Sequence, residues 1–219
     1  MLVTAVVRKP RRAGRVDVYI DGEVAFDVPR DTARKIELRP GRAIEQHEIA
    51  SIVAAEQKRQ ALEAAVTLLA RRPRSEREVR RRLAQRKFPA PLIEETVARL
   101  RSLQLIDDAA FARFWAEARD RSSPRGRRLV TQELRTHGVQ TELAVAATAD
   151  LSDADAAYRL ASRRMRSMAT LEYHAFRNRM GSLLQRRGFG WETARSTVER
   201  CWGELGRDRV EDDPGSGIE

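Results

Sequence analysis

The residues of this chain best equipped for chemistry are its arginines. Lys and Arg number 42 against 32 Asp and Glu, a net charge of +10. Only Lys9, Lys35, Lys58 and Lys87 are lysines, so 38 of the 42 are Arg. A guanidinium is a planar fork of five donors that stays protonated, and it suits phosphate and carboxylate equally. The arginines also cluster. Residues 71–87 (RRPRSEREVRRRLAQRK) hold nine bases and two acids, and residues 159–187 hold eight Arg and one Glu. The last 13 residues reverse the sign, with two Arg and five acids. Basic patches of this kind attract polyanions, and the phosphate backbone is the commonest. Arg-rich codon usage with solvated helix faces explains the abundance, but explains the clustering less well.

Other reactive residues do not assemble. His47, His137 and His174 are scattered, with no Ser or Cys nearby in sequence for a base to activate. Asp107-Asp108 has the chemistry for a metal, but it precedes FARFWAEA, where a helix cap is the simpler reading. Gly188-Phe-Gly190 lacks the Lys-Ser/Thr of a phosphate loop. Trp115 stands four residues after Phe111, a helical spacing that favours core packing over base stacking, and Trp191 and Trp202 are read the same way. The single Cys201 makes neither an internal disulfide nor a Cys-rich zinc site. No acid/base pair emerges, so the expectation is a binding protein, not an enzyme, without cofactor or metal. No run of 18 apolar residues offers a membrane helix, and MLVTAVVRKP lacks the order of a signal peptide. The expected compartment is the cytoplasm.

Two kinds of element must position the arginines. In residues 1–45, Val16, Val18 and Ile20 alternate, Asp21-Gly22 follows, and Val24, Phe26 and Val28 alternate again. This is a hairpin pattern, with Leu2 to Val7 as a third strand and residues 29–36 as a short helix. Such a segment is marginal alone and should lean on its neighbour. From Gln46 onward apolar residues recur at helical spacing: Leu62, Val66 and Leu69; Val79 and Leu83; Ile93, Val97 and Leu100. Ser75-Glu-Arg-Glu78 has the form of a capping box, and Ser123-Pro124 suggests a Pro in a first helical turn.

The helical part repeats itself. Leu83, Leu134 and Leu184 align at spacings of 51 and 50 residues. Val79, Val130 and Met180 precede them, while Phe88, Val139 and Phe189 follow. Further on stand Leu92, Leu143 and Thr193, then Val97, Thr148 and Val198, then Leu100, Leu151 and Cys201. A preceding helix falls at 59–72, 108–121 and 153–168. The fold class is therefore mainly α: an elongated array of three tandem three-helix repeats behind a small β segment. The expected divisions are 1–45, 46–106, 107–152, 153–205 and an acidic, disordered tail at 206–219.

At these anchors the chain resembles the RecX family, regulators of the RecA recombinase. Residues 68–83 (LLARRPRSEREVRRRL) look like the first-repeat signature, and 105–115 (LIDDAAFARFW) like the opening of the second. Gly126 and 133–139 (ELRTHGV) continue it, and 183–189 (LLQRRGF) resembles the turn of the third. The resemblance covers roughly 59–203, and the β segment is more loosely similar to an extension of longer members. Lys87 departs from the pattern, because repeats two and three have Gly138 and Gly188 there. With Pro89-Ala-Pro91 following, a different turn geometry is expected. The stretch SMATLEYHAF reads as a longer linker.

On a helical wheel anchored at the aligned apolar residues, Arg77, Arg81, Arg128, Arg135, Arg179 and Arg186 point outward. Arg80 and Arg82 flank the apolar stripe, whereas Arg86, Arg127, Arg177 and Arg187 fall nearer the core. The outward and flanking groups are the candidates for partner contact. The resemblance implies a monomer that lies along the RecA–DNA filament and restrains its recombinase, ATPase and coprotease activities, in DNA repair and the SOS response. The alternative is a DNA-binding helical protein that acts without RecA and touches mainly phosphate, on single-stranded or duplex DNA. A scaffold whose basic faces are merely solvated is the third reading.

Overall fold

Asp21 and Gly22 both have positive φ, 50° and 92°, as a two-residue type I′ hairpin turn requires. The turn joins β2 (Arg15–Ile20) to β3 (Glu23–Pro29), and β1 (Val3–Arg8) pairs with the other edge of β2, giving the antiparallel order β1-β2-β3. The computed structural model describes residues 1–10 and 14–211. Val18 pairs with Phe26, but Tyr19 pairs with Val24. Ala25 is thus an extra residue, and this bulge sends Val24 to the outer face, where it is 56% exposed instead of inward.

Val3, Val16, Val18, Ile20 and Val28 pack with Ala33 of α1 (Arg30–Lys35) and with Leu38 and Ile44. Ile49 and Ile52 of α2 (Gln46–Leu69) close this cluster, so the sheet does lean on the helical part. A charged bolt reinforces the contact. Arg15 reaches Glu56 of α2 at 2.6 Å and Asp27 at 2.7 Å. Glu56 is buried and also accepts from Arg59 at 2.9 Å and Gln60 at 2.7 Å. Burial pushes its carboxyl pKa up, but the bonds from Arg59, Gln60 and Arg15 outweigh burial and hold it at about 2.

The 24 residues of α2 span about 36 Å. Its first half serves the sheet, and its second half is the first helix of repeat one. There Ala61, Ala64 and Ala65 are buried, Leu62 and Leu69 are half-buried, and Val66 is 41% exposed. The expected Leu/Val stripe is therefore corrected to an alanine face. Small side chains allow a close approach of helices and leave the bulkier residues on the flank.

Repeat one adds α3 (Glu76–Gln85) and α4 (Ala90–Ser102). Repeat two comprises α5 (Asp108–Ser122), α6 (Arg127–Thr136) and α7 (Thr141–Thr148). Repeat three comprises α8 (Asp153–Met165), a 3-10 turn (Arg166–Met168), α9 (Tyr173–Arg186) and α10 (Trp191–Glu211). Each repeat has its own core. Val79 and Leu83, Val130 and Leu134, and Met180 and Leu184 are fully buried, and every other aligned position is buried or half-buried. Ile93, Ala144 and Ala194 form one more equivalent buried set.

Some boundaries differ from expectation. Pro124 lies buried in a loop, and α6 starts at Arg127 with Gly126 at its N-cap. The stretch SMATLEYHAF is linker only over 169–172. It holds the 3-10 turn and the first turn of α9, whose Phe176 is fully buried. Helix α10 continues to Glu211, six residues into the expected tail, and 212–219 lie outside the described residues.

The pKa of Glu56 lies below the ordinary 4.5, so its contribution to stability is complete above about pH 4.5 and disappears as pH falls through about 2. Urea unfolding of Glu56→Gln at pH 7 should show a loss of about 3 kcal/mol, because it strands Arg15 and Arg59. The gap between parent and variant should narrow steadily as pH falls from 4.5 towards 2.

Candidate functional site

Helices α3, α6 and α9 each turn one apolar stripe into a repeat core, which leaves the opposite side to solvent. Arg77, Arg81, Arg128, Arg135, Arg179 and Arg186 are all exposed, and none has a carboxylate partner among the described residues. Arg82 is exposed and donates to Gln85 at 3.2 Å. Arg80 is half-buried and held by Glu76 at 3.0 Å and Glu94 at 2.9 Å. Glu76 is shared with Arg101, whose hydrogen bond is the main reason its carboxyl titrates below the ordinary range.

Three arginines placed on the core side by the wheel are exposed instead. Arg177 is the fifth residue of α9, aligned with Arg127; Arg86 is the C-cap residue of α3, and Arg127 is the first residue of α6. At helix ends a long side chain escapes the wheel position of its Cα. Arg187 is half-buried as expected and donates to Ser123 at 3.3 Å.

What holds the three outward faces in fixed relation is a joint that occurs twice. In the first joint, Ser75 at the N-cap of α3 donates its hydroxyl to the His137 carbonyl at 2.6 Å. The N–H of Glu76 donates to Asp108 at 2.9 Å. In the second, the N–H of Gly126 at the N-cap of α6 donates to the Arg187 carbonyl at 2.9 Å, and the N–H of Arg127 donates to Asp153 at 2.7 Å. The residues correspond position by position. Each joint sets the start of one repeat's second helix on the end of the next repeat's second helix, and an Asp from the next repeat takes a free helical N–H.

Glycine is required at these joints by space. A Cβ on Gly138 would lie 2.4 Å from Arg77 Cδ, one on Gly188 would lie 2.4 Å from Leu129 Cβ, and one on Gly126 would lie 2.1 Å from the Gly188 oxygen. The stem of Arg77 is thus joint packing, while its guanidinium stays outside. Lys87 takes the same left-handed turn as its glycine counterparts, with φ of 64° against 89° and 82°. The turn bonds match as well, with Phe88 N–H on Leu83, Val139 on Leu134 and Phe189 on Leu184. The expected different geometry at Lys87 is therefore corrected. A side chain is tolerated there because no preceding three-helix repeat packs on it.

The capping box is half formed. Ser75 accepts from the Glu78 N–H at 3.2 Å, but Glu78 turns away to Arg72 at 2.7 Å. Asp107 caps α5, accepting from Ala109 and Ala110 at 2.8 and 3.1 Å. Asp108, which the sequence groups with Asp107 as a helix cap, has a different role. It serves the joint, and burial raises its pKa. Behind the first joint, the rings of Trp115 and His137 lie 4.3 Å apart, and Trp115 donates to Glu133 at 3.0 Å. Burial lowers the pKa of His137. Trp202 packs on Phe176, again as core. Trp191 is the exception: at the start of α10 it is 63% exposed. Among the described residues, no three His, Cys, Asp or Glu come together as for a metal, and Cys201 is buried with its thiol pushed up to about 11.

The joints make a direct prediction. Gly138→Ala adds both a clash and a strained φ, so it should cost about 2 kcal/mol or more in urea unfolding. Lys87→Gly should leave stability unchanged or raise it by about 1 kcal/mol. Small-angle scattering should register a changed particle shape for Gly126→Ala and none for Lys87→Gly.

Comparison with known proteins agrees with this architecture. Family models for the first, second and third three-helix domains of RecX match residues 61–100, 107–147 and 152–198, together more than half of the chain. The regulatory protein RecX of Levilactobacillus brevis is 34% identical over 139 residues, 64% of this chain but only 52% of that protein. The RecX of Streptomyces coelicolor is 31% identical over 144 residues, 64% of this chain and 77% of that one. A crystal structure of a regulatory protein RecX superposes with a TM-score of 0.63 at 23% identity, covering 90% of this chain and 98% of that one, which is a likeness of fold. No helix among the described residues is long and apolar enough to cross a membrane. With three family domains in order and a joint repeated between them, this chain belongs to the RecX family of regulatory proteins.

Proposed function

We propose that this protein binds the RecA filament on DNA and restrains its recombinase, ATPase and coprotease activities. The observation that carries this reading is the set of six exposed guanidinium groups, free of carboxylate partners among the described residues, on the second helices of three jointed repeats. Arg77 and Arg128 occupy equivalent positions, so the joint carries a charge from one repeat to the next at a fixed offset. A polymer with regular anionic features is the partner such an array fits. The protein acts by contact, as a monomer in the cytoplasm, without cofactor.

RecA-independent DNA binding is the rival reading. Few Asn or Gln side chains stand on these faces to read bases, so its contacts would be with phosphate. Affinity would then drop about 10³–10⁵-fold between 50 and 200 mM salt if 6–10 phosphates are touched.

The discriminating experiment follows RecA ATPase on single-stranded DNA while this protein is titrated below the RecA concentration. Inhibition at substoichiometric ratios supports the filament reading, and inhibition only when the protein coats the DNA supports the rival. Arg81→Glu, Arg128→Glu and Arg135→Glu combined should abolish inhibition with an unchanged circular dichroism spectrum. Arg77 is left intact because its stem belongs to the joint. Full inhibition by this folded triple variant would remove the arginine face from the mechanism.

A further inference from the structure

The repeats share a groove between their second and third helices and fill it differently. In repeat one Arg80 crosses the groove to Glu94 at 2.9 Å, between Ala84, Ala90 and Ile93. In repeat two Thr131 stands at the position of Arg80 and meets Thr148 at 2.9 Å. In repeat three the same position is Gly181, and a Cβ there would meet nothing within 4 Å. The groove between α9 and α10 is consequently open, with a volume of about 510 Å³. That lies within the range of small-ligand sites.

Its walls also change chemistry. Trp191 replaces Ala90, and Arg195 replaces Glu94. An ion pair has become an exposed aromatic face beside a cation. The Arg195 guanidinium lies 5.5 Å from the Trp191 ring centre and is steadied by Glu199 at 2.9 Å. Asn178, Ser182 and Gln185 line the α9 side at helical spacing. Arg177 stands on the same wall, exposed and without a carboxylate partner among the described residues.

We propose that this groove holds one unpaired base of a single-stranded nucleic acid, stacked on Trp191, with the flanking phosphates on Arg177 and Arg195. An indole face accepts any base, because every base has a π-face, and neutral amides and hydroxyls bond base edges without demanding one identity. An acidic peptide would satisfy the arginines and leave the indole and the three neutral side chains without a use. The groove shares helix α9 with Arg179 and Arg186 of the filament reading, but its lining residues are different ones and its test contains no RecA, so either can fail without the other.

The test is tryptophan emission of the full chain during titration with an oligothymidylate of about a dozen bases at low salt. The oligothymidylate should quench Trp191, and a duplex of equal length should not. Trp191→Ala should lower affinity about tenfold and remove the quenching, although Trp115 and Trp202 remain. Gly181→Leu fills the open groove from within a helix and should give the same loss, with an unchanged circular dichroism spectrum. Parent-like quenching and affinity in Gly181→Leu, or parent-like affinity in Trp191→Ala, would overturn the proposal. Quenching by poly-glutamate with none from the oligothymidylate would overturn it too, and would assign the groove to an acidic protein.

Discussion

The arrangement of this molecule depends on a backbone approach too close for a β-carbon. Gly126, Gly138 and Gly188 lie where one repeat's second helix begins against another's end, and a methyl group at any of them would sit inside its neighbour. The approach brings a carbonyl at the end of one helix to the N-cap of another, and brings Asp108 and Asp153 within reach of free helical N–H groups. Each repeat keeps a separate apolar core, so polar joints govern how the cores are disposed. A joint made of directional bonds fixes orientation more sharply than apolar contact alone, and orientation is what an array of surface charges needs.

Charge is distributed by the same economy. Glu56, Glu78 and Glu133 lie buried or half-buried, and each gathers two or more cations or donors. Burial raises the pKa of Glu56 and Glu78, and their arginines more than reverse this. These acids consume a fixed share of the arginines in holding sheet to helix and in tying elements together within a repeat. The arginines left over on α3, α6 and α9 are therefore not a random residue of composition. They sit where no acid was placed to meet them.

Much of this was legible from residue types. Asp21-Gly22 specified its hairpin, and the aligned Leu83, Leu134 and Leu184 specified three cores, because turn chemistry and periodicity are local. The six outward arginines followed from the wheel for the same reason. What failed was non-local or terminal. Val24 was displaced by a bulge that alternation does not announce. Arg86 and Arg127 lie at helix ends, where the wheel loses its hold. Trp191 was taken for core by its type alone, and nothing in spacing reveals that its groove lacks a floor until Gly181 is seen opposite. Asp108 reads as a cap of its own helix, yet it serves another repeat, as Asp153 does.

The contrast between Lys87 and its two glycine counterparts shows how the array is bounded. All three residues take the same left-handed turn, so φ alone does not demand glycine there. Glycine appears only where another repeat arrives, and Lys87, with its long side chain, occupies the first equivalent surface. At the other end, α9 has 14 residues where α3 and α6 have 10. Its added turn buries Phe176 and lays Tyr173 on Trp202, 5.3 Å between ring centres. That turn covers the helix start which in the other repeats forms a joint. Lys87 at one edge and the aromatic-anchored turn at the other are thus the two edges of the described array that differ from its internal joints.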